Sequence, residues 1–241
     1  ANARLTGTEV VDVPRRADYS VDEEAVLSRV ARGDIDYLIV TSPNNPTGQL
    51  ADPSFVVRLL ESTDALVMVD EAYFEFSRRT ARPLLGKHRN LVILRTFSKA
   101  FSLAGARLGY LLGDAEVIRE FIKVRQPYSV DAVSQAIARV VYANRAKFEP
   151  GIQAIIDERA RVLDGLSRVP GVTAYPSDAN YIMFRIKDAG AVWENLYERG
   201  VLVRDFSRSA YLEDCLRVTV GTREENDAFL AALKEVAIAR M

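Results

Sequence analysis

The chain has 241 residues, 49% apolar and 27% charged, with 32 basic against 33 acidic side chains and a formal net charge of −1. That is apolar content for one large domain or two modest ones, and the near-zero charge argues against an electrostatic binder of nucleic acid or membrane. Cys215 and His88 are the only residues of their types, which excludes an intrachain disulfide and almost excludes Cys/His zinc sites and histidine-based triads.

No apolar run reaches the length of a membrane span and no leader pattern is read, so a cytoplasmic protein is expected. The segment Glu9-Val10-Val11-Asp12-Val13 reads as a core strand. Ser20-Val21-Asp22-Glu23 has the form of a capping box and predicts a helix to about residue 31, with Gly33 closing it. A β-rich run at 37–41 leads into Ser42-Pro43-Asn44-Asn45-Pro46-Thr47-Gly48, a loop by every turn signal. Asp52-Pro53 is an N-cap followed by a first-turn proline, which predicts a helix to about residue 62. Apolar strands are expected at 65–70 and 91–95, with a further one at 108–112. Short apolar strands alternating with helices predict a mostly parallel sheet covered on both faces.

After residue 112 the texture changes. Helices are expected at 114–124, 131–145 and 152–166, with Pro150-Gly151 marking a kink or break between the last two. Strands follow at 172–175, 181–185, 201–204 and 215–220. Thr222-Arg223-Glu224-Glu225 is another capping box, opening a terminal helix. The expected fold class is α/β: a three-layer α/β/α large domain over residues 1–150, then a smaller α/β domain over 151–241.

The chemistry centres on Lys99. The chain holds only six lysines against 26 arginines, and this one lies between an apolar run and a glycine-bearing one. A lysine there is expected to lose water, which favours a neutral amine able to form a Schiff base with a carbonyl. Pyridoxal phosphate chemistry follows from that. In an open α/β sheet ligands gather at the carboxyl ends of the strands, where Asn45, Asp70 and Lys99 all fall. A carboxylate closing an apolar strand needs a cation, and a protonated pyridine nitrogen would serve for Asp70. Taken alone, Asp70 reads better as a helix N-cap and Lys99 as a surface lysine; the combination reverses both. Asn45 and Tyr73 can hydrogen-bond a phenolate oxygen. Thr96, Ser98 and Arg107 suit a phosphate ester, each charge-assisted bond contributing roughly 1.5–3 kcal/mol.

The motifs Ser42 to Gly48, Val69-Asp70-Glu71-Ala72-Tyr73, Thr96-Phe97-Ser98-Lys99 and Gly105-Ala106-Arg107-Leu108-Gly109, in this order and spacing, resemble the signatures of fold-type I aminotransferases. Within them the chain most resembles the histidinol-phosphate aminotransferases. The resemblance implies a pyridoxal 5′-phosphate enzyme whose Lys99 carries the Schiff base. Asp70 would pair with the ring nitrogen, Asn45 and Tyr73 would contact the ring oxygen, and Thr96, Ser98 and Arg107 would bind the phosphate. Arg217 sits where the family's substrate-anion arginine lies. Arg204 matches a second such arginine, and Asn180 a position lining that pocket. The freed Lys99 amine would act as general base, with 2-oxoglutarate as amino acceptor. For Arg204 and Arg217 the competing reading is an ion pair with Asp205 or Asp214. Ser102 and Arg95 read as structural, and Cys215 as a small apolar residue.

The family's chains carry a segment before the position of Ala1, with a glycine-serine loop, a ring-stacking aromatic and a tyrosine reaching across a dimer. None is identifiable here. The expectation is therefore an N-terminally truncated chain that binds cofactor weakly or not at all, and a homodimer or larger assembly. Alternatives of the same framework are a threonine-phosphate decarboxylase and an aromatic amino acid aminotransferase. A non-enzymatic alternative is the effector domain of a transcription regulator, and a third is a catalytically dead scaffold.

Overall fold

The structure is a computed structural model describing residues 2–240. Helix α1 (Asn2–Leu5) is a single turn, and residues 8–16 follow without regular structure, Val10 and Val11 being exposed. The strand expected at 9–13 is thus not formed. A strand exists only through its partner, and among the described residues no sheet edge pairs with this segment. Helix α2 (Glu23–Val30) is capped by Asp22, whose side chain accepts from Ala25 N at 3.2 Å, and not by Ser20. The Ser20 hydroxyl is already committed, donating to Asp18 Oδ1 at 2.6 Å.

Strands β1 (Tyr37–Thr41), β2 (Leu66–Asp70), β3 (Leu91–Thr96) and β4 (Gly109–Gly113) form one sheet in that order; the first three are parallel and β4 is antiparallel. Between β1 and β2 lies helix α3 (Pro53–Ser62), capped by Asp52 with Pro53 in its first turn, as the sequence predicts. Val30 of α2 and Phe55 and Leu59 of α3 bury against Val67, Val69, Leu91 and Ile93. Burial of side chains of this kind contributes about 1.5–3 kcal/mol each. Helix α4 (Phe74–Ser77), a single turn, follows β2. Helix α5 (Ala115–Val124) lies over the opposite sheet face, where a Cβ on Gly113 would stand 3.3 Å from Val92 Cγ2 and 3.5 Å from Ile118 Cδ1.

Helix α6 (Ala132–Ala143) is followed by a 3-10 turn (Arg145–Phe148) and helix α7 (Glu149–Ser167). The break falls at that turn. Pro150 sits in the first turn of α7, where its missing N–H costs nothing, and Gly151 is accommodated within the helix. A second, antiparallel sheet has the order β5 (Val172–Ala174), β6 (Tyr181–Ile186), β8 (Cys215–Thr219), β7 (Arg204–Asp205). Helix α8 (Ala189–Glu198), absent from the sequence reading, joins β6 to β7, and α9 (Arg223–Ala239) opens on the expected Thr222/Glu225 capping box. Residues 201–203 are not strand: Val201 N turns back to Leu196 O at 2.9 Å at the end of α8. Ile182, Phe184, Leu216, Leu196, Phe229 and Leu233 make this unit's core.

The two sheets meet at the loop after β1, whose Ser42-Pro43 and Asn45-Pro46 bonds are both cis. Gly48 has φ +80°, its carbonyl accepts from Asp178 N at 2.8 Å, and a Cβ there would stand 2.2 Å from Ser177 Oγ. Gly48→Ala therefore faces both backbone strain and a collision. Denaturant unfolding is expected to show a loss of about 1–3 kcal/mol, with Ser177→Gly in the same chain recovering the part due to contact.

Candidate active site

The parallel strands set the site. Thr41 pairs with Asp70 and Asp70 with Leu94, so the carboxyl ends of β1, β2 and β3 open side by side. Asp70 is half-buried, and its Oδ1 accepts from Ala72 N at 3.0 Å. Burial pushes its carboxyl pKa up, against the opposing pull of that backbone bond. The residue is not a helix cap: α4 begins three residues after Ala72's neighbour Glu71 and has no side-chain cap. Among the described residues no cation lies within 4 Å of the Asp70 carboxylate. A cation reaching it would offset the cost of carrying this half-buried carboxylate ionised.

Lys99 follows β3 in a turn. Its Nζ stands 5.5 Å from the centre of the Tyr73 ring, so the side chain leans toward the site. The expected loss of water is not found: Lys99 is exposed, in the turn that follows the end of β3 and outside the sheet. Thr96 and Ser98 form a small knot of hydroxyls. Thr96 Oγ1 lies 2.9 Å from Ser98 Oγ and accepts from Ser98 N at 3.0 Å. Arg107, at φ +50°, is exposed, and its Nη1 donates to Ala104 O at 3.1 Å.

The second sheet contributes the other wall. Arg217, on β8, donates from Nη1 to Asn45 Oδ1 at 2.5 Å, joining residues 172 positions apart. Its guanidinium lies 4.6 Å from the Tyr181 ring centre and 5.7 Å from that of Phe206, and its Nε is buried without a hydrogen-bond partner. Arg204 is the register partner of Arg217 on β7, exposed, 5.9 Å from the Phe206 ring. Neither arginine pairs with Asp205 or Asp214, whose carboxylates accept from Ser207 N and Ala189 N instead. Asn180 contributes its carbonyl to Val220 N at 2.9 Å.

Tyr181, to which the sequence reading gives no role, joins these parts. It meets Tyr73 edge to face at 5.1 Å, donates to Asn44 O at 2.7 Å and underlies Arg217. Burial raises the hydroxyl pKa of both tyrosines, so both stay protonated donors at neutral pH. The one sequence signal for Tyr181 is its place at the start of a strand immediately after Asn180.

Asn45, Arg217, Tyr181, Tyr73 and Lys99 thus form one chain of contacts beside Asp70, with Thr96 at the end of β3 and Ser98 in the turn after it. An arginine with a free Nε, a carboxylate without a cation and an amine leaning toward a tyrosine ring have the chemistry to meet an anion, a cation and a carbonyl. The chain belongs to the family Aminotransferase class I and II, whose sequence pattern matches residues 1–233. It is 37% identical over 235 residues to the histidinol-phosphate aminotransferase of Chlorobaculum tepidum, covering 97% of this chain and 68% of that protein. To the enzyme of the same name from Thermococcus kodakarensis it is 43% identical over 233 residues, covering 97% and 65%. The crystal structure of histidinol-phosphate aminotransferase from Sinorhizobium meliloti in complex with pyridoxal-5′-phosphate superposes with a TM-score of 0.88 at 27% identity, covering 99% and 67%. The chain spans about two thirds of the length of these relatives.

The protein is a pyridoxal-phosphate-dependent aminotransferase of α/β fold. The residues present fit that cofactor: Asp70 lacks a cation, two hydroxyls and a guanidinium stand at adjacent turns, and an amine leans over the ring of Tyr73.

Proposed function

We propose that this chain exchanges the amine of histidinol phosphate with 2-oxoglutarate, the reaction of histidine biosynthesis, using Lys99, Asp70 and Tyr73 as its catalytic residues. One observation carries the reading beyond the relatives' names: Arg217 is locked against Asn45 across the two sheets while its Nε stays unpaired, with Arg204 opposite in register. A pair of arginines on one strand ladder suits a donor bearing a phosphate ester and an acceptor bearing two carboxylates.

When bound, pyridoxal phosphate supplies an electron sink for the bond broken at the substrate Cα. The chain's own residues do the rest. Lys99 would hold the cofactor through its amine, and that amine is the group able to move the proton at the substrate Cα. Asp70 keeps the ring nitrogen protonated, its Oδ1 oriented by Ala72 N. Asn45 and Tyr73 would hydrogen-bond the ring oxygen, and Thr96, Ser98 and Arg107 would hold the phosphate. Arg217 and Arg204, beside Asn180, orient the anionic ends of the substrate.

Residues 1–150 would form the cofactor-binding unit and 151–241 the smaller one. We assign a homodimer on the apolar stripe of α6, where Val133, Ile137 and Val140 share one face and are 68%, 41% and 63% exposed. The compartment is the cytoplasm, where a free thiol such as that of Cys215 stays reduced. Among the described residues no helix is long and apolar enough to cross a membrane.

The test is a side-by-side assay of the cofactor-loaded protein with histidinol phosphate, phenylalanine and threonine phosphate, its particle mass read by light scattering. Histidinol phosphate is expected to give the highest kcat/KM, and Arg217→Ala to raise its KM roughly 10–150-fold, the loss of one charge-assisted contact. Preferential decarboxylation of threonine phosphate would overturn the assignment.

A further inference from the structure

Behind the strand ends that carry Asp70 and Thr96 lies a second cluster that the reaction does not touch. Glu71 is 2% exposed and Arg95 8%. Arg95 Nε and Nη2 both donate to Glu71 Oε2, at 3.0 and 2.8 Å. Thr80 Oγ1 donates to the same oxygen at 2.8 Å and itself accepts from Arg95 Nη2 at 2.8 Å. Ala81 N donates to Glu71 Oε1 at 2.6 Å, and the Phe74 ring lies under the guanidinium, 3.6 Å away. Both Glu71 carboxylate oxygens are thus hydrogen-bonded, and the guanidinium rests on an aromatic face.

A buried ion pair of this kind is a poor way to gain stability. Its desolvation offsets most of the attraction, and an apolar pair of similar volume is often as stable. What it does supply is a fixed geometry. Glu71 directly follows Asp70 and Arg95 directly precedes Thr96, and side chains alternate along a strand. The pair therefore grips β2 and β3 from one face while Asp70, Thr96 and the turn to Lys99 work on the other. Glu71 N also donates to Leu94 O at 2.8 Å, extending the parallel ladder one step past Asp70. A slip or splay of the two strand ends would move Asp70 against Ser98 and Lys99; beyond the backbone ladder and the Ser42 N–Asp70 O bond at 2.9 Å, the Asp70 side chain itself is held on the site face by the Ala72 bond.

We propose that the Glu71–Arg95 pair, completed by Thr80, is a positioning brace that sets the Asp70 carboxylate in place relative to Lys99 and the Thr96/Ser98 hydroxyls. This rests on the reading that pyridoxal phosphate binds across those residues. Neither Glu71 nor Arg95 touches the cofactor or substrate; both act through Asp70.

The decisive variant is the double change Glu71→Leu with Arg95→Met, which removes both charges together; the neighbouring buried Glu75 loses one attraction and one repulsion and keeps Arg78. Its melting temperature is expected to stay within a few degrees of the parent. The pH midpoint of the bound cofactor's visible absorbance should nevertheless move by about one unit, and the pyridoxal phosphate Kd rise about tenfold, the equivalent of a 1.4 kcal/mol displacement. kcat should fall with little change in KM. An unchanged midpoint and Kd in a variant that melts normally would reduce the pair to scaffolding and end the proposal. Should the double variant fail to fold, Glu71→Gln is read by the same titration below its melting temperature, with the same two outcomes. Should the parent chain itself not take up pyridoxal phosphate through Lys99, the cofactor reading fails separately. The brace is then judged on the cofactor-free protein by the NMR titration of the Asp70 carboxyl carbon. Its raised midpoint should drop toward the ordinary carboxylate range in the double variant, and an unmoved midpoint would sink the brace.

Discussion

Lys99→Ala is expected to abolish both retention of the cofactor and transamination, with the structure otherwise intact. The side chain is exposed and makes no hydrogen bond or ion pair among the described residues; its recorded neighbour is the Tyr73 ring at 5.5 Å. Truncating it removes no packing, so thermal unfolding should be unchanged within about 0.5 kcal/mol, the usual range for a surface substitution. The chemical loss is of a different order. In the proposed reaction the amine is both the attachment point and the base at the substrate Cα, and removing a positioned general base alone costs roughly 10²–10⁴ in rate. The measurement is visible absorbance after exhaustive dialysis, followed by single-turnover assay with supplied cofactor. A Lys99→Ala protein that stays yellow would place the attachment elsewhere.

Where the chain's sequence is legible, the cause is local. Asp52, Asp114, Asp131 and Thr222 each announce a helix start because an N-cap is a bond between a side chain and a backbone N–H two or three residues on. Helix α8 gives no such notice: its N-cap Asp188 sits at φ +56° without a side-chain cap, and Gly190 occupies the first turn. The strand expected at 9–13 has β-rich residues, yet pairing is decided by what lies beside it. The same division runs through the site. Asp70, Thr96 and Lys99 could be placed because strand ends and the turns after them are local features. The Asn45–Arg217 bond and the Tyr73–Tyr181 contact arise only when two sheets close on one another. The exposure of Lys99 was equally hidden, since flanking apolar runs report how strands are buried and not what covers a turn. Arg95, read from sequence as structural, has that appearance because its partner Glu71 is 24 positions away on a neighbouring strand.

Asp70→Asn should move the cofactor-free and cofactor-loaded proteins in opposite directions. Burial raises the Asp70 carboxyl pKa above its unfolded value. The folded chain then binds the extra proton over the window between the ordinary carboxylate pKa and the raised one, and its stability falls as pH climbs through that window. Above it the ionised group is carried at a cost, because no cation is at hand to meet it. Asparagine keeps the Oδ1 that accepts from Ala72 N and removes the charge, so the cofactor-free variant should unfold at a higher denaturant concentration at pH 7–8 and lose the advantage near pH 4. With pyridoxal phosphate the sign reverses. In the proposed site the protonated ring nitrogen would be the missing cation, and taking away one member of a buried charged pair costs about 2–5 kcal/mol. Retention should weaken accordingly, and kcat should fall because a ring without its proton withdraws electrons poorly. Denaturant midpoints at pH 4 and pH 8, with and without cofactor, test both halves in one series. A cofactor-free variant less stable than the parent at pH 8 would show that Asp70 already has its partner within the chain, and that its place at the tip of β2 serves the fold and not the ring.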